Sequence, residues 1–465
     1  MKRKLITGIL AAMLTLCLVA CANKASSGAT GESGNANAGT ENVVGDALQE
    51  DGTETEQAGD LTADAQQSSE TDVTEENMTT IEKAQAEREA ATIKDVTIEP
   101  EEIPDSEAFT FVKNMKTGWN LGNTLEAYNG DWPPANELDT ETCWGNPVTT
   151  KEMIDEIKAA GFETIRIPIT WQGHVTQAED GSLTVSEVWL ARVKEVVDYA
   201  VANDMYVIIN THHDVDAETG YYPNSENYES SEYFLSTVWK AMAETFIDYD
   251  EKLIFESLNE PRLVGSNYEW YFKESAPECQ DAAECINRLN QTFVDVVRTT
   301  GGNNAQRYLM VPGYDASIDG AMTDYYRLPT DTAENKLIVS VHAYTPYNFA
   351  LQSPQESGST DRFFIDAASS TKDIDYLMNS LYDKFVSQGI PVVIGEYGAR
   401  DKDFNIQDRL DYHVYYIASA RARGISCCVW DNNAFAGTGE NFGLFRRAAG
   451  SWLYPEIVEA IMKYA

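Results

Sequence analysis

From Met115 to the carboxyl terminus, short β-rich apolar runs alternate with longer amphipathic ones, and this alternation leaves few folds open to the chain. The strand-like runs are Thr117 to Asn123, Thr164 to Thr170, Tyr206 to His213, Leu253 to Pro261, Arg307 to Gly313, Leu337 to Tyr344, Pro391 to Gly398 and Ile425 to Asn432. Each is short, largely apolar and bounded by residues that stop a strand. Between them Thr149 to Ala160, Val185 to Asn203, Glu232 to Tyr249, Cys285 to Thr299, Asp373 to Gln388 and Gln407 to Arg423 repeat apolar residues at helical spacing. Several of these end at a glycine, as at Gly161, Gly301, Gly389 and Gly424, the usual helix stop before a strand. After the fifth strand-like run the pattern is less regular, and the helix expected there is the weakest.

Strands that alternate with helices pair in parallel, and eight such units favour closure into a (β/α)8 TIM barrel over an open doubly wound sheet. The expected fold class is therefore α/β. No glycine-rich phosphate loop follows the first run, which argues against a dinucleotide-binding fold.

Residues 106–465 are about right for one such barrel, and the chain before them has a different character. Lys2, Arg3 and Lys4 precede an apolar run from Leu5 to Ala20 that closes at Leu18-Val19-Ala20-Cys21. This stretch is too short and wrongly flanked for a membrane span, so residues 1–21 read as an export signal. Its end resembles the lipobox of bacterial lipoproteins. That resemblance implies that Cys21 is lipidated, becomes the new amino terminus and anchors the protein to a membrane at the cell surface. The alternative is an ordinary secretory signal with an incidental cysteine.

Residues 22–105 hold no Phe, Trp or Tyr and are dominated by small, polar and acidic residues. Such a segment buries too little apolar surface to offset its chain entropy, so a disordered acidic tether is expected. The whole chain has 34 Lys plus Arg against 75 Asp plus Glu, a formal net charge of -41. A field of that sign repels phosphate backbones and excludes nucleic acid as a partner, whereas a neutral polysaccharide is not repelled. A monomer is expected.

Polar residues gather near the ends of the strand-like runs: Asn120 and Asn123, Arg166, His212 and His213, Asn259 and Glu260, His342 and Tyr344, Glu396, and Trp430. In a barrel these ends face one mouth, where the catalytic sites of such folds lie. Two of them, Glu260 and Glu396, are carboxylates at the rim, the minimum equipment for cleaving a glycosidic bond. No ligand set at recognisable spacing accompanies the His212-His213 pair, so neither a metal nor a cofactor is expected.

Thr117-Gly-Trp-Asn-Leu-Gly-Asn123, Thr164-Ile-Arg-Ile-Pro168, Ile209-Asn-Thr-His-His-Asp214, Leu258-Asn-Glu-Pro261, Val341-His-Ala-Tyr344, Ile394-Gly-Glu-Tyr-Gly398 and Val429-Trp-Asp-Asn432 occur in this order. Together they resemble the signature segments of glycoside hydrolase family 5, most closely its subfamily 4 of endo-acting β-glucanases. The resemblance implies a retaining double displacement on a β-glucan, with Glu396 as nucleophile and Glu260 as acid/base. It also implies that Asn259 holds the sugar 2-hydroxyl.

Within that resemblance the remaining roles are assigned to the neighbouring residues as expectations. Arg166 keeps Glu396 ionised, Tyr344 hydrogen-bonds the nucleophile, and His342 lies near the acid/base, which should carry the higher pKa of the two carboxylates. His212 and His213 line the subsite just before the cleavage point, Trp430 offers a face for stacking there, and Asn120, Arg166, Asn259, His342 and Tyr344 belong to the same substrate-binding group. Trp132, Trp144 and Trp171 are candidates for extending the platform, while Trp239 and Trp452 fit helix faces and read as core. Cys279 and Cys285 are close enough in sequence to pair, with a reduced state as the alternative, and Cys427 and Cys428 read as buried strand residues.

The leading function is an endo-β-1,4-glucanase of the cellulase type. A xyloglucanase, mixed-linkage β-glucanase or mannanase on the same fold is the alternative. A non-catalytic glycan-binding lipoprotein is weighed against by the presence of both glutamates with Arg166, Asn259 and Tyr344. The chain outside the barrel offers no carbohydrate-binding module, so crystalline cellulose is a poor candidate substrate.

Overall fold

The computed structural model describes residues 80–128, 136–437 and 439–465, with the side chains of residues 80–84 left aside. Eight parallel strands close a barrel: β1 (Thr117–Asn120), β2 (Thr164–Ile167), β3 (Tyr206–Asn210), β4 (Leu253–Glu256), β5 (Leu309–Pro312), β6 (Leu337–His342), β7 (Val392–Tyr397) and β8 (Ser426–Val429). β8 pairs back onto β1 through Thr117 opposite Cys427, Gly118 opposite Cys428 and Trp119 opposite Val429. The helix after β5, expected to be the weakest, is a single short piece, Ile318–Met322. The carboxyl terminus adds the helix Pro455–Met462, which packs against Ile406–Arg421. Gly389 and Gly424 take positive φ of 88° and 70°, the backbone freedom a helix stop requires.

Both faces of the strands are buried, which explains why their sequences read as nearly unbroken apolar runs. Outward-facing residues such as Ile165, Val207, Phe255, Val339 and Ile394 pack against the helices in one large core. Inward-facing Ile208, Ile254, Met310, Ile338, Val393 and Cys428 form a second cluster inside the barrel. Its floor is the helix Glu107–Met115, capped by Ser106, whose Phe111 ring stacks on Tyr308 at 3.8 Å. Gly118 faces this interior, where an added Cβ would come within 2.5 Å of the Cys428 sulfur, so glycine is the residue that fits.

The barrel unit begins earlier than the sequence suggested. A helix spans Thr80–Ala90, and residues 91–105, expected to belong to a disordered tether, run along the outside of the barrel. Ile93, Val96, Ile98 and Ile103 pack onto the main core, and Lys94 pairs with Asp411 at 2.5 Å. Apolar residues at intervals of two to five provide the anchoring; their isoleucine and valine side chains were outweighed in the sequence by the acidic residues around them. The expected signal peptide, Cys21 and the rest of the tether up to residue 79 lie outside the described residues. Among the described residues no helix is long and apolar enough to cross a membrane.

Candidate active site

Continuing each strand's inward alternation by two residues beyond the apolar layer reaches a polar one. Ile208 is followed by Asn210, Ile254 by Glu256, and Ile338 by Ser340 and then His342, while β1 and β2 bring Asn120 and Arg166. Arg166 and Glu256 are wholly inaccessible to solvent. Buried charges must be paired, and these are: Arg166 Nε and Nη2 lie 2.8 and 2.7 Å from Glu256 Oε2. Its Nη1 donates to Glu396 Oε1 at 2.8 Å and to Asn120 Oδ1 at 3.0 Å, and its Nη2 also donates to Asn259 Oδ1 at 2.7 Å.

Strict alternation would turn Gly395 inward and Glu396 outward. The register of β7 shifts between the pairs Val341–Ile394 and His342–Glu396, and this bulge brings both residues to the site. Bulges re-aim side chains in this way at active sites. Gly395 is packed so closely beneath His342 that a Cβ would lie 3.0 Å from its Nε2. Glu396 then meets Arg166 through one oxygen and the Tyr344 hydroxyl, which donates at 2.8 Å, through the other.

Glu260 lies past the end of β4, with its side chain one-fifth exposed. Its Oε1 is 2.9 Å from His342 Nδ1, and one oxygen each of Glu260 and Glu396 and a ring nitrogen of His342 lie within 4.8 Å of one another. That spacing is also compatible with a metal ion, but a cation there would face the Arg166 guanidinium. It matches the close approach of paired carboxyls, about 5–5.5 Å, in retaining glycosidases, and is tighter than the roughly 6.5–9.5 Å of inverting ones.

Electrostatics correct one expectation. Glu260 is expected from the sequence to carry the higher pKa of the two carboxyls, which calls for a raised value. Burial does push in that direction, but the hydrogen bond and charge of His342, with Arg262 beyond, outweigh it and hold Glu260 at about 2. For His342 burial favours the neutral ring, yet Glu396, Glu256 and Glu260 overcome it and raise the imidazole to about 10. The proton of the Glu260–His342 pair therefore rests on the imidazole in the unliganded site. Glu256 is likewise held at about 2, burial being outweighed by Arg166, His342 and Ser340.

Two of the expected substrate contacts are something else. Asn120 is fully buried, with its amide nitrogen donating to the carbonyls of Gly395, Cys428 and Val429 and its oxygen accepting from Arg166. Having no group left for a sugar, it orients Arg166. Arg166 in turn is covered by the groups it pairs with and acts on Glu396 rather than on substrate. Because the Asn259 oxygen accepts from Arg166, its amide NH2 is the end available to a sugar hydroxyl.

His212 and Trp430 do face one another, nearly parallel with ring centroids 6.2 Å apart. Asn210 accepts from the backbone of Ile169 through its oxygen, so its nitrogen donates to His212 Nδ1 at 3.2 Å. Nδ1 is then an acceptor, the proton sits on Nε2, and burial beside His213 and Arg166 keeps the ring neutral. His213 packs against Tyr128 and Trp144 at 5.8 and 5.5 Å, and both of these aromatic residues are substantially exposed.

Trp144 thus lies in the aromatic group beside the site, but Trp171 does not. It is fully buried with Nε1 donating to the Asn210 carbonyl, a packing role the sequence did not reveal. Trp132 lies outside the described residues. Trp239 is core, and Trp452 packs on Phe445. Cys279 and Cys285 are separate buried thiols, and Cys427 and Cys428 are buried in β8.

The sequence reading missed Glu256, Ser340, Asn210 and Arg262. The first three sit within strands, below the ends where polar residues attract notice; counting the inward alternation from Ile254 finds Glu256. Arg262 follows Glu260 by two residues, lies 3.6 Å from its Oε2 and covers the Trp270 ring at 4.1 Å.

An eight-stranded barrel with paired carboxyls at its mouth, one bound to Arg and Tyr and one to His, defines a glycoside hydrolase. Comparison with known proteins assigns the family. Residues 128–436 match the family model for cellulase (glycosyl hydrolase family 5), and the chain belongs to this family. Endoglucanase B of Neocallimastix patriciarum is 41% identical over 359 residues, covering 76% of this chain and 70% of that relative. A GH5 family lichenase from Caldicellulosiruptor sp. F32 superposes with a TM-score of 0.79 at 54% identity, covering 80% of this chain and 99% of that one. A GH5-4 broad specificity endoglucanase from Ruminococcus champanellensis, with bound cellotriose, gives 0.70 at 42% identity over 78% of this chain and 100% of that one.

Proposed function

We propose that this enzyme cleaves internal β-1,4-glucosidic bonds of soluble or amorphous β-glucans by a retaining double displacement. The observation that carries the mechanism is the approach of Glu260 and Glu396 within 4.8 Å, with Arg166 and Tyr344 bonded to Glu396 and His342 to Glu260. Glu396, held by Arg166 and Tyr344, attacks the anomeric carbon while Glu260 protonates the departing oxygen. In the second half Glu260 takes a proton from water, which displaces Glu396 from the same carbon. Asn259 donates to the 2-hydroxyl, and the glucose ring at the cleavage point stacks on Trp430 beside His212. Tyr128, Trp144 and His213 continue the aromatic surface away from it.

The relatives support a β-glucan substrate: one is a lichenase, and another, a broad specificity endoglucanase, holds cellotriose. Mixed-linkage glucan and xyloglucan are therefore substrates to test beside cellulose-type chains. Cys21, through the lipobox-like end of the signal, tethers the enzyme to the membrane at the cell surface. Radiolabelled palmitate incorporated by the wild type and lost in Cys21→Ser is the expected result, and equal labelling of both refutes it.

Azide tests the two roles. Glu396→Gly with azide is expected to yield an α-glycosyl azide and Glu260→Ala the β product; the reverse exchanges the roles. In Glu260→Gln and Glu396→Gln, activity on barley glucan should fall by about 10²–10⁴-fold or more while the fold is retained. Substantial activity in either variant sinks the assignment.

A further inference from the structure

The mechanism above makes no use of the most deeply buried acid of the site. Glu256 is completely inaccessible, so it never meets substrate. Five polar contacts nevertheless fix it. Oε2 takes Arg166 Nε, Arg166 Nη2 and the Asn210 amide at 2.8, 2.7 and 3.0 Å. Oε1 takes the Ser340 hydroxyl at 2.6 Å and lies 3.9 Å from His342 Nε2. An ion pair with Arg166 alone would not require the approach to His342; Ser340 and Asn210 hold the carboxylate between the two cations.

We propose that Glu256 is the positioning residue that keeps one proton on the Glu260–His342 pair, and so keeps the acid charged for each turnover. The inference rests on the reading of Glu260 as the acid/base. His342 faces Arg166 on β2, His212 beyond β3, Glu256 on β4, Glu260 just past it, Asp315 past β5 and Glu396 on β7. The two histidine-side cations, Arg166 and His212 when charged, oppose a proton there, and His212 is neutral. Glu396 favours the proton too, but the covalent intermediate neutralises it when its oxygen bonds to the sugar. Glu256 is the carboxylate whose charge persists through both half-reactions.

The proton balance is simple. It starts on His342 Nδ1, crosses the 2.9 Å hydrogen bond to Glu260 Oε1, and passes to the glycosidic oxygen as the bond to the anomeric carbon breaks. The electron pair of that bond leaves with the oxygen, and a Glu396 oxygen forms the new bond. The attacking water later returns one proton to Glu260 and the pair. Glu256 stabilises the pair whichever member holds the proton, because both forms carry one more positive charge than the deprotonated pair.

The test is the pH profile of Glu256→Gln on a soluble β-glucan, read beside histidine NMR of the same protein, whose five histidines allow assignment. The basic limb of kcat/KM should move down by about one pH unit or more, with the His342 titration moving the same way. A loss of activity by one factor at every pH, with both midpoints unmoved, overturns the proposal in favour of a purely structural role. Should Glu256→Gln fail to fold, the wild type still decides: an imidazolium at His342 at pH 8 is expected, and a neutral ring there overturns it. The NMR readouts do not depend on turnover. Failure of the acid/base assignment is separately visible as activity surviving in Glu260→Gln.

Discussion

The inward faces of the same eight strands build two opposite environments. At the floor, Ile208, Ile254, Met310, Ile338 and Val393 pack on Phe111 and Met115. One residue pair further along, the faces hold Asn120, Arg166, Asn210, Glu256 and Ser340, equally inaccessible but polar or charged. The floor gains stability from the apolar area it removes from water, at roughly 25 cal/mol per Å². The mouth gains little or none, because desolvating ions offsets most of their attraction. Its charges bear instead on Glu260 and Glu396, through His342 and Arg166. Equal burial therefore serves stability in one layer and protonation states in the other.

Removing the shared cation should break the mouth most severely. Arg166→Met leaves Glu256 and Glu396 without the buried cation they share, and a loss of about 3–5 kcal/mol in urea unfolding is expected. Activity should fall by on the order of 10²–10³-fold as well; a variant as stable as the wild type would show that the mouth is not held by charge. At the floor, Phe111→Ala should also cost about 3–5 kcal/mol. The pH–activity profile of the remaining folded enzyme should superimpose on that of the wild type, and a shifted profile would mean that floor and mouth are coupled.

A pH scan of stability sharpens the contrast. Glu256 and Glu260 are depressed from 4.5 to about 2, so their contribution is complete above 4.5 and is lost as pH falls toward 2. His342 is raised from 6.5 to about 10, so its contribution is complete below 6.5 and is lost as pH rises through 10. Urea midpoints should fall at both ends, and the acid loss should be smaller in Glu256→Gln. An unchanged acid loss would place the titrating groups elsewhere. The smallest effect is expected outside the barrel, where Lys94→Ala removes a part-exposed partner of Asp411 and should cost no more than about 1 kcal/mol by thermal unfolding.

Much of the site was legible because strand ends in a parallel barrel converge. The motifs around Asn259-Glu260-Pro261 and Gly395-Glu396-Tyr397 therefore located the two carboxyls without a structure. The partners of Glu396 were legible too, since Arg166 and Tyr344 lie at strand ends that face the same mouth. Asn120 reads from the sequence as a sugar contact, because sequence position does not disclose that its amide nitrogen is engaged by carbonyls of β7 and β8 and its oxygen by Arg166. The protonation of Glu260 was read the wrong way round because it depends on the 2.9 Å contact with His342, contributed by a strand 82 residues away.

By itself the sequence determined the alternation of elements, the parallel pairing it entails, the family-defining segments and the identity of the two carboxyls. These follow from local periodicity and from residue types at strand ends, both written in consecutive residues. Only the tertiary structure decided the inward turn of Glu396 at the β7 bulge, the anchoring of residues 91–105, the burial of Glu256 between Arg166 and His342, and the resting place of the proton. Each depends on distances between groups far apart in the chain, where a few tenths of an ångström and the exclusion of water set the strength of every charge.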